Sequence, residues 1–356
     1  MSKKISAKIK LAKINWPNIL KSWDLTKKLK TDFSLPLQDK NKIKIKTTGN
    51  ISWQIFRFDQ APLKLQKKYL TSQQDFTWSS QAIFSMIKNH WLVDIKIFGD
   101  GELFWQMDSA DLGGIYFFVQ GQGEITINEK QNRSVCQLVM IDVGNLVTLH
   151  YSLNKQQIKG FTFLSYQARL GKQSNCFWEI GLKNKAWLVG SFVTKLLGTG
   201  SQNNYLFGGR ISGQSKTYLN FLNQHLVPNT TGDMLIKAIA EDKSQTIIAG
   251  LIDIGLKSTN ANSYLQEDIL LLSAQARASA LPNLEILNRD VKASHGATVG
   301  RIDEEMLYYL MSRGLSKMVA TELIVSGFFH SLGSKITDRQ RQRKLFNLLL
   351  AKDISK

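Results

Sequence analysis

Apolar and polar positions along this chain change rhythm twice. Residues 1–90 are mixed, with short amphipathic stretches. Positions 18–23 and 80–87 read as helix, and the second puts Ile83, Met86 and Ile87 on one face by i, i+3, i+4 spacing. From 91 to 300, short apolar runs are separated by Gly, Asn, Asp and Ser. Val93, Ile95 and Ile97 lead into a Gly99-Asp100-Gly101 turn, and Ile125 and Ile127 flank Thr126. Further runs fall at 138–141, 147–151, 161–166, 186–189, 246–254 and 268–272. They read as strands of about five residues with little helix between them. Such a series over about 200 residues implies a sandwich, a barrel or a β-solenoid, and with no clean repeat period the pattern leaves all three open. Residues 301–356 read as helical. Asp303 can cap a helix carrying Leu307, Leu310 and Met311, with Gly314 as its stop. Ser316 can start a second, with Val319, Leu323 and Ile324. A third begins near Asp338 and carries Leu345, Leu348 and Leu349. Their apolar stripes are expected to pack against each other, with a partner-binding face as a second use of the surface.

Composition narrows the class. The chain has 356 residues, 43% hydrophobic and 21% charged, enough for a sizeable core. No apolar run reaches the ~18 residues of a membrane span. The basic start lacks the continuous apolar stretch of a secretory leader, so a cytoplasmic protein without a membrane partner is expected. The net charge of +18 is uneven, since residues 1–48 hold 13 Lys against 3 Asp. No aromatic-interleaved basic motif or zinc-finger spacing accompanies that charge, so no specific nucleic-acid partner is expected. Cys136 and Cys176 are too few for a disulfide framework and are expected to be small buried hydrophobes.

Most catalytic chemistry is absent. The run from Gly208 to Ser215 approaches a phosphate loop, but Gln214 stands where the lysine must be, so it reads as a turn between strands and no nucleotide is expected on this chain. His90, His150, His225, His295 and His330 form neither HExxH nor a close His/Cys pair. There is no Gly-x-Ser-x-Gly elbow. Glu304 and Glu305 sit at a helix start, where they complement the helix dipole.

The informative stretch is 281–315. Leu284-Glu285-Ile286 and Asp290-Val291-Lys292 read as strands joined by a polar turn. Ser294-His295-Gly296-Ala297-Thr298 is a small-residue strand or turn in which His295 is the one strong ligand. Gly296 and Gly300 permit close backbone approach, and the chain then enters Ile302-Asp303, Tyr308-Tyr309 and Ser312-Arg313-Gly314. A single imidazole therefore sits where strands give way to helices.

This stretch resembles the C-terminal signature of the SufB/SufD family, P-x-L-E-I, then D-V-x-C-S-H-G-A-T-x-G, then I-D-x-E and S-R-G. The run Glu267–Ala276 is similar to the family's N-L-L-L-S-x-x-A segment. His225, in Gln-His-Leu-Val-Pro-Asn-Thr-Thr, is similar to its H-x-x-P-x-T. The match is strong over about 220–330, and its His-Gly-Ala-Thr form resembles the SufD type. The resemblance implies a mainly β fold with a right-handed parallel β-helix core over 91–300, a Lys-rich mixed or helical region over 1–90 and a helical region over 301–356. It implies a non-enzymatic scaffold for iron–sulfur cluster assembly that pairs with a SufB-like subunit and docks a SufC-like ABC ATPase. It further implies a transient iron–sulfur cluster or iron at the subunit interface, with His295 as the ligand from this side and partner-chain ligands completing it. Lys292, Ser294, Gly296, Thr298, Tyr308 and Arg313 are expected at the partner interface. The cysteine that some members carry two residues before the histidine is Ala293 here, so no thiolate is available beside His295 in sequence. Two alternatives stand beside this reading. One is a secreted-type β-helix enzyme acting on acidic polysaccharide. The other is a homodimeric stand-alone scaffold, against which Ala293 argues.

Overall fold

The computed structural model describes residues 43–72, 90–107, 113–131, 136–157 and 160–350. The helices expected at 18–23 and 80–87 lie outside the described residues. Strands β1 (Ile43–Arg57) and β2 (His90–Met107) flank helix α1 (Leu63–Ser72). There follow β3 (Gly113–Gly121), β4 (Gly123–Gln131), β5 (Cys136–Val143), β6 (Val147–Gln157), β7 (Phe161–Leu170), β8 (Asn175–Asn184) and β9 (Trp187–Leu196). Next come β10 (Gln202–Ile211), β11 (Lys216–His225), β12 (Thr231–Ala240), β13 (Gln245–Ile254), β14 (Ala261–Leu271), β15 (Arg277–Ile286) and β16 (Val291–Arg301). Helices α2 (Glu304–Ser312), α3 (Lys317–Gly333) and α4 (Arg339–Leu350) close the described chain.

The strands make a β-solenoid. Odd-numbered strands stack as one parallel ladder and even-numbered strands as another, each strand pairing with the strand two places on. Successive pairs from β3/β4 to β15/β16 make about seven coils. β2 starts both ladders, its first half against β3 and its second half against β4. The Gly99-Asp100-Gly101 segment is therefore not the break expected of a turn. Strand pairing with β1 continues up to it on both sides, and the chain bends there from one ladder to the other. Residues 43–57, expected within a mixed or helical region, form a strand, because Ile43, Ile45, Ile51, Trp53 and Ile55 recur at the strand period and pack on the core.

The core lies between the two ladders. Inward positions stack in columns, each coil adding one side chain. One column runs Leu103, Ile127, Tyr151, Trp178, Tyr205, Met234, Leu265, all essentially inaccessible to solvent. Each such side chain contributes roughly 1.5–3 kcal/mol of burial free energy. One corner is shaped by Gln173, Asn229 and Asn260, all at positive φ. There the Asn229 and Asn260 amides donate to carbonyls of the next coil, and the Asn260 side chain donates to Asn229 Oδ1 at 3.2 Å.

α3 and α4 lie on the outer face of the even ladder, against β6, β8, β10 and β12. The caps are as expected. Asp303 accepts from the Glu305 and Met306 amides, and Ser316 from Val319. The packing face of α3 differs from expectation. Val319 and Leu323 are exposed, and Val325, Phe329 and Leu332 are buried with Leu345 and Leu349 of α4 on Leu206 and Ile239 of the sheet. The sheet, rather than the neighbouring helix alone, is the main apolar surface on offer, so it selects the face. The run Gly208–Ile211, expected as a turn, is instead the end of β10, and the turn starts at Ser212. A Cβ on Gly208 would lie 2.5 Å from Leu349 Cδ1, so the glycine makes room for α4 rather than for a phosphate.

Candidate functional site at the open end of the solenoid

The two ends of the solenoid differ. At the start, antiparallel β1 covers β2. At the other end, among the described residues, β15 pairs only with β13 and β16 only with β14, which leaves two neighbouring strands with one free edge each. Such edges are templates for a second chain unless they are blocked. Register fixes which side chains face the mouth. On β16 they are Val291, Ala293, His295, Ala297 and Val299, which stack on Ala261, Ser263, Leu265, Glu267 and Ile269. On β15 they are Ala278, Ala280, Pro282, Leu284 and Ile286, which stack on inward residues of β13. The end is thus a largely apolar surface, with Ile286 40% and Val299 42% accessible.

His295 is the polar exception. It stacks directly on Leu265 and so ends the interior column that begins at Leu103. Every earlier member of that column is roofed by the next coil, whereas the imidazole is exposed. Among the described residues it has no hydrogen-bond or ion-pair partner. Its neighbour Ala293 packs at the edge of the core and offers no ligand atom.

The other expected interface residues do not cluster with the imidazole. Lys292, Ser294, Gly296 and Thr298 alternate with it and stand on the outer side of β16, over Asn262, Tyr264, Gln266 and Asp268. Gly296 is needed there, since a Cβ would meet Gln266 Oε1 at 2.6 Å. Beneath it runs a polar row. Tyr264 donates to Gln266, Gln266 donates to Asp268, and Asp268 pairs with Lys237 at 3.0 Å. Tyr308, on α2, is 74% exposed, and Arg313 caps that helix with its guanidinium over the Tyr309 ring. Three surfaces are therefore adjacent in sequence but distinct in direction: the mouth, the outer edge of the last coil and the helix.

Two further groups are buried: His225, already marked by its motif, and Glu267, which was not singled out from the sequence. His225 lies wholly inside, its Nδ1 2.8 Å from Thr230 Oγ1 across the corner that follows β11, and burial pushes its pKa down to about 4. The H-x-x-P-x-T spacing is thus a corner clamp. Glu267 faces inward one coil behind the mouth, fully inaccessible, and neither carboxylate oxygen has a hydrogen-bond partner of normal geometry. Burial pushes it up to about 8, with the backbone amides of Leu281 and Gly250 opposing only in part. A signal existed: alternation places Glu267 on the face of Leu265 and Ile269. Cys176 is buried and burial raises its thiol pKa, as a structural cysteine requires, and Cys136 opens β5. No group of three or more His, Cys, Asp or Glu able to hold a metal occurs among the described residues.

Comparison with known proteins places this architecture. Residues 118–328, more than half of the chain, match the family model described as SUF system FeS cluster assembly, SufBD core domain. The iron-sulfur cluster assembly protein SufD of Bacillus subtilis is 30% identical over 184 residues, which cover 51% of this chain and 42% of that protein. SufB of the same organism is 38% identical over 104 residues, 29% of this chain and 22% of that one. An iron-sulfur cluster assembly SufBD family protein of Staphylococcus saprophyticus is 36% identical over 104 residues, again 29% and 22%. The matched regions thus span less than half the length of these curated relatives. With a parallel β-solenoid, its last coil carrying the Ser-His-Gly-Ala-Thr run, and a family match across most of that solenoid, the chain belongs to the SufB/SufD family of the SUF iron–sulfur cluster assembly system.

Proposed function

We propose that the chain is a SufD-type scaffold subunit whose open solenoid end is closed by the corresponding end of a SufB-like partner. The observation that carries this reading is His295, an imidazole placed where a core residue belongs and left without a roof. Free strand edges supply main-chain pairing, and the apolar mouth supplies burial, so a second solenoid end satisfies both needs at once. The imidazole then becomes a ligand in a dry interface. One histidine cannot hold a cluster alone, and Ala293 adds nothing, so the partner supplies the remaining ligands. The iron or nascent cluster is cargo, held transiently between the chains.

A SufC-like ATPase docks on the helices in this reading. α2 has no buried residue, and Met306, Tyr308, Met311, Met318, Val319 and Leu323 of α2 and α3 are exposed together with it, an apolar surface that suits a protein partner. The ATPase binds the nucleotide, and this chain binds none. The subunit acts as a scaffold, not a catalyst, in the cytoplasm, without membrane or specific nucleic-acid contacts. No helix among the described residues is long and apolar enough to cross a membrane.

The test uses the tagged full chain in its native background. A SufB-like and a SufC-like protein should co-purify with it. In the purified complex, His295→Ala should leave the stoichiometry intact and slow cluster formation at least tenfold. Wild-type assembly by that variant would remove His295 from the site, and recovery of a homodimer alone would replace the partner assignment.

A further inference from the structure

Among the described residues, two buried glutamates face the interior of the solenoid, and their surroundings are opposite. Glu129, in the early coils, accepts hydrogen bonds from Tyr151 at 2.6 Å, from Tyr166 at 2.9 Å and from Gln137 at 3.0 Å. It is a satisfied structural group. Glu267 is buried at least as deeply, and neither of its oxygens has a hydrogen-bond partner of normal geometry, with only the Leu281 and Gly250 backbone amides close by. A carboxylate of this kind is costly, and solenoid interiors have no need of it. The chain nevertheless makes room for it. A Cβ on Gly250, across the interior, would stand 2.5 Å from Glu267 Oε1 and 2.6 Å from Leu265 Cδ2, so a strand position gives up its side chain to accommodate both.

Position gives this group a use. Glu267 lies on β14, and His295 lies on β16 above Leu265, two residues before Glu267 on the same inward face. Strand spacing and rise put their Cα atoms about 8 Å apart, within reach of one ion. Only the terminal coil separates the carboxylate from the mouth. Above it stand Ala297, a single methyl, and Pro282 over Gly250. An unpartnered carboxylate oxygen beside an exposed imidazole is a donor pair for a divalent transition metal, and carboxylate with imidazole suits ferrous iron.

We propose that Glu267 joins His295 in a half-site for divalent iron at the mouth of the solenoid. The inference rests on the reading of the open end as the place of assembly and specifies its cargo. Partner ligands complete the coordination shell.

The test is anaerobic titration of the full-length chain with Co2+, read by its visible absorption, and thermal melting of the same samples without metal. Wild type should bind Co2+. Glu267→Gln and Glu267→Met should each weaken binding at least tenfold, with melting temperatures no lower than wild type because a buried unpartnered carboxylate has been removed. His295→Ala should weaken it as much. Unchanged affinity in Glu267→Gln and Glu267→Met overturns the half-site, as does the absence of Co2+ binding by wild type. A marked fall in melting temperature in both Glu267 variants assigns the residue to packing and also overturns it. None of these results touches co-purification or the His295→Ala assembly rate, so the half-site can fail while the scaffold reading stands.

Discussion

His225 and His295 are the same side chain in the same solenoid, and the fold gives them opposite fates. His225 is sealed among inward residues and held by Thr230, so its ring stays neutral, with a pKa pushed down to about 4. The unfolded chain protonates the same ring near pH 6.5. Between those values the unfolded state binds the extra proton, so stability falls as pH drops from about 6.5 toward 4. A shift of that size corresponds to about 3 kcal/mol at full extent. Urea unfolding at pH 7 and pH 4.5 should show wild type losing about 2 kcal/mol more than His225→Gln over that interval. Equal losses in the two proteins would mean that the ring is not neutral inside. His295 has no such enclosure, and its availability to a partner follows from being last in its column rather than from its identity.

Arg210 joins the helices to the solenoid. Its guanidinium donates to Glu241 of the corner after β12 at 2.7 Å, to Glu322 of α3 at 2.9 Å and to the Leu349 carbonyl of α4 at 3.2 Å. One side chain at the end of β10 thus anchors two helices and the next coil. Removing it leaves two partly buried carboxylates facing each other. Arg210→Met should therefore cost roughly 2–3 kcal/mol, since an unpaired group left behind is worse than the pair was good. Hydrogen exchange should locate that loss. Amides of α3 and α4 should exchange faster while those of β7–β9 stay protected, because the helices can open as a unit without the coils. Uniform acceleration across the solenoid would show that the arginine belongs to the core instead. Arg341 makes a similar attachment lower down, 3.3 Å from Glu179 and bonded to Thr126.

The whole molecule is a stack closed at one end and open at the other. At one end β1 is folded across β2, and the open end displays Leu284, Ile286, Val291 and Val299 around an imidazole. An inward-pointing lysine at such an edge is a natural block to strand addition. Leu284→Lys should abolish co-purification of the proposed SufB-like partner while shifting the melting temperature of the isolated chain by only a few degrees, since the lysine can reach solvent through the mouth. Retention of the partner by this variant would place the interface elsewhere, with the exposed surface of α2 and α3 as the next surface to test.

The chain's residues alone settled several things. Alternation gave strands and a mainly β fold, although most strands run to ten or eleven residues rather than the five expected, the caps Asp303 and Ser316 gave the helix starts, and the 281–315 signature gave the family and singled out His295. These are local properties, written in neighbouring residues and the polar groups they satisfy. What the sequence could not decide was which strand lies on which. Odd-ladder strands begin at Trp187, Lys216, Gln245 and Arg277, intervals of 29, 29 and 32 residues. The stacked positions hold Leu, Ile, Tyr, Trp, Tyr, Met, Leu and His, because a column asks only for a side chain that fills its layer. A repeat held together by shape leaves no repeat of letters. The choice of face on α3, the room made by Gly208 and Gly250, and the orphaned Glu267 behind His295 all depend on that stacking, so only the tertiary structure decided them.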